Sequence, residues 1–230
     1  MKPRKSEKFT DIFSLVMDDY KAYAVESKEY SKAIKKRLEL RNKIYAAISR
    51  DYGRNFIVSH YYDKDQPIPI WALFELITIG EFGMLLSCCN KEARKKISKS
   101  IGFNASDDSD GRLSEQFVYL LRDLRNSVAH NNIVFDTRFK TNKVGNRLKV
   151  YISKETNIPA ITFDTIVDYI ILISYLMERL GASKTEIKSF IKQFETICDE
   201  LHEAVPSAIF MKIIHTDTQS KLNALQIYLH

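Results

Sequence analysis

The stretch LSEQFVYLLRDLRNSVAH, residues 113–130, decides the fold class of this chain, because its apolar residues recur at the spacing of one face of an α-helix. The apolar stripe expected to face the core consists of Leu113, Phe117, Leu120, Leu121, Leu124 and Val128. Similar periodicity recurs along most of the chain, and only seven Gly and five Pro occur in 230 residues, so tight turns are few. The sequence therefore predicts an all-α fold, mainly an α-helical bundle.

Further helices are predicted on both sides of this stretch. They cover residues 29–50, a segment that begins after Pro67 and Pro69, the basic segment 91–101, and residues 162–180, 184–204 and 216–228. The stripe expected to be buried in the first of these helices consists of Ile34, Leu38, Tyr45 and Ile48, and the helix after Pro69 is expected to run through Trp71, Phe74, Ile77 and Ile79. Gly181 and Ser183 suit the caps that separate two of the later helices.

One segment departs from the helical period. Residues 133–153 lose it, and NKVGN (142–146) between two β-prone runs predicts a small β-hairpin. A chain of 230 residues that is 45% hydrophobic and 28% charged is long enough for one sizeable core. We expect a single helical domain over residues 1–230, with residues 1–28 as an N-terminal extension and C-terminal helices within 184–230 packed on it.

The composition argues against several classes of protein. The three cysteines, Cys88, Cys89 and Cys198, have no CxxC spacing, so we expect core thiols in a reducing compartment and no metal site. Acidic residues interrupt the N-terminal apolar run, which is unlike a signal peptide. The apolar runs 67–86 and 166–177 contain carboxylates or are too short to cross a bilayer. We expect a cytoplasmic protein with no membrane partner and no cofactor.

Three polar residues at the end of the predicted motif helix need an explanation. Arg125, Asn126 and His130 form the pattern R-N-x-x-x-H. A purely structural interpretation makes Arg125 and Asn126 exposed helix residues, with His130 attracted to the negative end of the helix dipole and Asn131 as the C-terminal cap. A functional interpretation treats the three residues as one site.

The pattern and the IVF tail that follows it (133–135) resemble the motif of the HEPN superfamily (higher eukaryotes and prokaryotes nucleotide-binding domain). A second stretch, PIPIWALFELITIGEFGMLLS (67–87), resembles the Trp-containing, Gly-interrupted helix of Abi_2-type abortive-infection proteins, a phage-resistance branch of that superfamily. The order of segments is similar to that branch over roughly residues 30–140. The resemblance implies an HEPN-like helical fold and a metal-independent endoribonuclease, acting in phage defence or as the toxin of a toxin–antitoxin pair.

The three residue types suit RNA cleavage without a metal. Imidazole exchanges protons near neutral pH, so His130 is the candidate acid–base group at the 2′-hydroxyl or the leaving 5′-oxygen. A guanidinium matches the charge that develops on the phosphorane oxygens, which makes Arg125 the candidate for transition-state stabilisation. Asn126 lies four residues before His130 and is expected to orient the imidazole or a phosphate oxygen. The expected product carries a 2′,3′-cyclic phosphate.

The spacing of the two charged residues leaves two arrangements open. Arg125 and His130 are five positions apart, so an ideal helix points them about 140° from each other. In the superfamily, two motif helices pack together and form a composite site, which implies a homodimer for this chain. Alternatively, fraying at Asn131 brings His130 back toward Arg125 within one copy.

A second match to a looser form of the motif occurs earlier in the chain. RNFIVSH (54–60) places Arg54, Asn55 and His60 at R-N-x4-H spacing, which makes it a possible second half-site. Gly53 breaks the preceding helix, and FIVSHYYD resembles an apolar core segment followed by a turn. We therefore expect His60 to be a structural residue near the surface.

The positive charge of the chain is clustered. The net charge is +6, and Lys and Arg are concentrated in the segments 32–43, 91–99 and 138–149. The candidate RNA-binding residues are Lys35, Lys36, Arg94, Lys95, Lys96, Arg138 and Lys140. The expected partner is RNA, as substrate or as a regulatory antitoxin. The same segments also suit solvated helix faces, and a non-catalytic RNA-binding or protein-interaction module of a defence complex is the alternative function.

Overall fold

The computed structural model describes residues 16–135, 137–140 and 143–229, and every regular element within them is helical. A 3₁₀ helix (Asp19–Ala22) precedes α1 (Lys28–Asp51), α2 (Phe56–Tyr62), α3 (Ile70–Leu76), α4 (Ile79–Cys88), α5 (Lys91–Ser100) and α6 (Leu113–Ala129). The later helices are α7 (Asn146–Thr156), α8 (Ile166–Arg179), α9 (Lys184–Ala204), α10 (Ser207–Ile214) and α11 (Thr218–Tyr228). The all-α prediction is confirmed.

The chain divides into two compact units. The first unit contains the described residues up to Ser100 together with Asn104–Tyr119, and the second contains Ile101–Phe103 and the described residues from Leu120 onward. Helix α6 therefore begins in the first unit and ends in the second. Part of the predicted N-terminal extension, residues 1–15, lies outside the described residues, whereas Met17 is fully buried in the core of the first unit.

Helix α1 organises the first unit. Ser27 caps its N-terminus by accepting the N–H of Tyr30 at 3.0 Å. Its buried residues are Leu40, Ile44, Ala47 and Ile48, which belong to the core to which α3 and α4 also contribute. The predicted stripe is wrong for Leu38 and Tyr45, which are exposed. The face of α1 that packs in the core is rotated away from these two residues around the helix axis.

The apolar segment after Pro69 forms two helices, α3 and α4. The single helix predicted through Ile79 is wrong, because Thr78 starts a new helix. Its side chain accepts the N–H of Glu81 at 3.2 Å, and the Glu81 carboxylate accepts the N–H of Thr78 at 2.7 Å. This reciprocal capping box satisfies amide groups that a continuous helix would have bonded internally. Gly83 lies in α4 where a Cβ atom would come within 2.9 Å of the Tyr119 ring.

The second unit is built around α8, a helix buried on nearly all sides. It packs with α9 and α11. Gly181 follows α8 with a positive φ of 88°, and Ser183 caps α9 in a second capping box with Glu186. Both predicted caps are therefore confirmed. The short helix α10 was not predicted.

Part of the segment 133–153, which was predicted to form a hairpin, is helical. Residues 146–153 belong to α7, and the hairpin prediction for them is wrong. Leu148, Tyr151 and Ile152 are buried at spacings of three and one, which is the pattern of a helical face. Residues 136, 141 and 142 lie outside the described residues, and the described remainder of 133–145 contains no strand.

The cysteines follow the prediction. All three cysteines are free and buried, as expected for core thiols. Over the described ranges, no helix combines the length and the apolar character needed to cross a membrane.

Candidate functional site

The end of α6 is closed by a C-terminal cap. Asn131 adopts a left-handed conformation with φ of 55°, and the N–H of Asn132 donates to the carbonyl of Ser127 at 2.9 Å. These are features of a Schellman cap. The N–H of His130 donates to the carbonyl of Asn126 at 3.0 Å, which is the bond of a continuing helical turn. The structure therefore holds His130 in helical register, and the prediction that Asn131 is the cap is confirmed.

The Asn126 side chain is hydrogen-bonded to Arg125. The Arg125 guanidinium donates from Nη1 to Oδ1 of Asn126 at 3.1 Å. Among the described residues, no hydrogen bond joins the side chains of Asn126 and His130. The Asn126 amide was expected to orient either the imidazole or a phosphate oxygen, and it makes no hydrogen bond to the imidazole. Both charged side chains of the motif are exposed to solvent.

The last turn of α6 and the segment that follows it expose apolar side chains beside the motif. Val128 is 61% exposed and Ile133 is 66% exposed. Val128 was predicted to face the core, and that prediction is wrong because Ser127 occupies the buried position in this turn. Adjacent residues are turned by about 100° around a helix, so burying one of them directs the next outward.

Arg94 does not belong to an RNA-binding surface. Its side chain is 4% exposed, and Nη1 lies 2.6 Å from Oδ1 of Asp19. The same guanidinium donates to the carbonyls of Cys89 and Asp110. A buried charge needs such partners, so Arg94 has a structural role within the first unit. The prediction that it contacts RNA is wrong, because its guanidinium is buried.

The other candidate RNA-binding cations differ in their surroundings. Lys140 donates to the carbonyl of Phe163 and to the carboxylate of Asp164, each at 2.7 Å. Lys36 lies 3.6 Å from a carboxylate oxygen of Glu115. The exposed members of the set are Lys35, Lys96 and Arg138, whereas Lys95 is half-buried.

The competing match at residues 54–60 has local structural roles. Asn55 caps α2 by accepting the N–H of Ile57 at 2.9 Å. The ring of His60 packs against Phe56 and Tyr61, with centroid distances of 5.7 and 5.3 Å. These contacts agree with the structural interpretation of His60. In the described part of the chain, no group of three His, Cys, Asp or Glu residues is placed to hold a metal ion.

Comparison with known proteins identifies the family. No curated protein and no solved structure matches the chain. A family model, Abi_2, described as Abi-like protein, matches residues 6–136. The match contains the Trp71 segment and the Arg125–His130 motif. It begins at residue 6, whereas the sequence resemblance covered roughly residues 30–140. Because it spans more than half of the chain, the protein belongs to the Abi-like family, which links it to abortive infection and phage defence.

Proposed function

We propose that this chain is a metal-independent endoribonuclease of the HEPN type that acts in phage defence, by itself or as the toxin of a toxin–antitoxin pair. The proposal rests on the arrangement of side chains at the end of α6. An exposed guanidinium, held by Asn126 at 3.1 Å, and an exposed imidazole lie on a capped helix end that a polymeric substrate can reach.

The proposed reaction is transesterification. His130 takes the proton of a ribose 2′-hydroxyl, the 2′-oxygen attacks phosphorus, and the bond from phosphorus to the 5′-oxygen breaks. The leaving oxygen takes a proton from an imidazolium or from water. Arg125 stabilises the negative charge on the non-bridging oxygens. The products are a 2′,3′-cyclic phosphate and a 5′-hydroxyl end.

The same geometry supports a homodimer. The capped helix keeps Arg125 and His130 five positions apart in helical register, about 140° from each other around the axis. A second copy supplies the missing partner of each residue. Val128 and Ile133 are exposed beside the motif and supply apolar contacts for this association. RNA then binds through exposed cations such as Lys35, Lys96 and Arg138.

One observation favours a second candidate function, a non-catalytic RNA-binding module. The Asn126 amide oxygen accepts from Arg125, and among the described residues no hydrogen bond joins the Asn126 side chain to the His130 imidazole. A site that recognises phosphate needs the guanidinium but not an oriented base. In this alternative, the motif binds a regulatory RNA without cleaving it.

The two functions are separated by an RNA cleavage assay in excess EDTA. Wild type, Arg125→Ala, His130→Ala and the control Lys188→Ala, an exposed residue of α9, are incubated with labelled single-stranded and structured RNAs. Cleavage by wild type and Lys188→Ala alone, leaving cyclic phosphate ends, supports the enzyme. Equal RNA binding by all four proteins with no product rules out catalysis by this site, whereas binding lost only in Arg125→Ala supports the recognition module.

A further inference from the structure

The first unit contains a cavity whose lining is rich in cations. It has a volume of about 210 Å³ and lies among the 3₁₀ helix, the first half of α1 and the end of α4. Its cationic side chains are Lys32, Lys36, Arg37 and Arg112, and its acidic side chains are Asp19 and Glu29. Four positive and two negative charges give the lining a formal charge of +2. We call it the basic cavity.

The carboxylates near this cavity are already shared between cations. Asp19 contacts Arg94 at 2.6 Å and Arg112 at 3.1 Å. Glu115 contacts Arg112 at 3.3 Å and Lys36 at 3.6 Å. Among the described residues, this network thus contains two carboxylates and three cations, an excess of one positive charge. The Asp19 and Arg94 side chains are only 10% and 4% exposed, so solvent screens this imbalance weakly.

Two further cations lie on the cavity wall. Lys32 is exposed and makes no ion pair within the described ranges, so its ammonium is free to contact a ligand. The guanidinium of Arg37 lies over the Tyr20 ring, 5.3 Å from its centroid, which places a second delocalised cation on the wall. Glu29 is the acidic side chain on the same stretch of the lining.

We propose that the basic cavity binds a phosphoryl group, either as free phosphate or as the terminal phosphate of a nucleotide or an RNA. A phosphate dianion offsets the formal charge of +2, and ammonium and guanidinium groups are the donors that phosphate oxygens prefer. A volume of about 210 Å³ is several times the ~30 Å³ share of one water, so phosphate fits with part of an attached sugar. This site uses none of the motif residues and does not depend on ribonuclease activity.

The test is isothermal titration of the full chain with inorganic phosphate at constant ionic strength, using chloride as the reference salt. The variants are Lys32→Gln, Lys32→Arg and Lys43→Gln, the last replacing an exposed lysine of α1 that does not line the cavity. We expect one saturable site, weakened about tenfold by Lys32→Gln because one charge-assisted contact is lost. Lys32→Arg and Lys43→Gln are expected to bind like wild type. Circular dichroism confirms that each variant is folded.

Three further probes identify the source of the phosphoryl group. Tighter binding of adenosine monophosphate than of phosphate assigns the site to a nucleotide, and preference for 5′-phosphorylated over 5′-hydroxyl RNA assigns it to an RNA end. Binding of phosphate alone assigns it to the free anion. Absence of saturable phosphate binding overturns the proposal. Equal weakening by Lys32→Gln and Lys43→Gln also overturns it, because that result indicates general surface charge.

Discussion

The Arg125 guanidinium donates a hydrogen bond to the Asn126 amide oxygen at 3.1 Å, so neighbouring residues of one helical turn hold each other on an exposed surface. This contact assigns Asn126 a positioning role toward Arg125 under the proposed ribonuclease function. Among the described residues, no hydrogen bond joins Asn126 to the imidazole that it was expected to orient.

We predict that Asn126→Ala lowers kcat for RNA cleavage about tenfold with little change in KM, because the guanidinium loses its fixed position. Asn126→Asp is expected to be slower still, since a carboxylate repels the phosphorane charge. Asn126→Gln keeps an amide oxygen and is expected to recover part of the rate. Single-turnover kinetics measure these rates, and equal activity of Asn126→Asp and wild type contradicts the prediction.

A composite site predicts complementation between two inactive variants. Arg125→Ala and His130→Ala are mixed in equal amounts, unfolded and refolded together, so that half of the dimers are mixed. One of the two sites in a mixed dimer then has both residues, and the mixture regains about one quarter of wild-type activity. A site contained within one protomer regains none. Each variant refolded alone is the control.

A buried ion pair in the second unit is expected to contribute strongly to stability. Nζ of Lys221 lies 2.7 Å from Oδ1 of Asp168, and their side chains are 5% and 0% exposed. Lys221→Met leaves the Asp168 charge without this partner, so we predict a loss of about 3–5 kcal/mol in the free energy of unfolding. Lys188→Met, at an exposed position of α9, is expected to change it by less than about 0.5 kcal/mol. Urea denaturation measures both, and equal effects contradict the prediction.

The three thiols are expected to react slowly in the folded protein. Burial raises the pKa of Cys88 and Cys198 to about 11 and that of Cys89 to about 12. The thiolate is the nucleophile, so a raised pKa lowers its fraction at pH 8 about a hundredfold or more relative to an ordinary thiol. Iodoacetamide labelling followed by mass spectrometry measures the rate, which should rise with pH and become fast in guanidinium chloride. Rapid labelling of the native protein at pH 8 contradicts this expectation.

The sequence alone determined the features that depend on neighbours within a few positions. Helical periodicity located α1, α5, α6 and α9, and local chemistry identified the caps at Asn131, Gly181 and Ser183. These features depend on backbone hydrogen bonds and caps that join residues no more than about five positions apart. The motif Arg125, Asn126 and His130 was recognisable for the same reason, since it lies within two turns of one helix.

Only the tertiary structure decided which side chains are buried and which charges meet. Arg94 belongs to a basic segment in sequence. In the folded chain its side chain is buried, because it pairs with Asp19, which lies 75 positions earlier. Leu38 and Tyr45 match the helical period as closely as the buried residues Leu40 and Ile44 do. They are exposed because another face of α1 contacts α3 and α4. Burial depends on what distant segments place against a helix, and the basic cavity arises in the same way, from residues that only folding brings together.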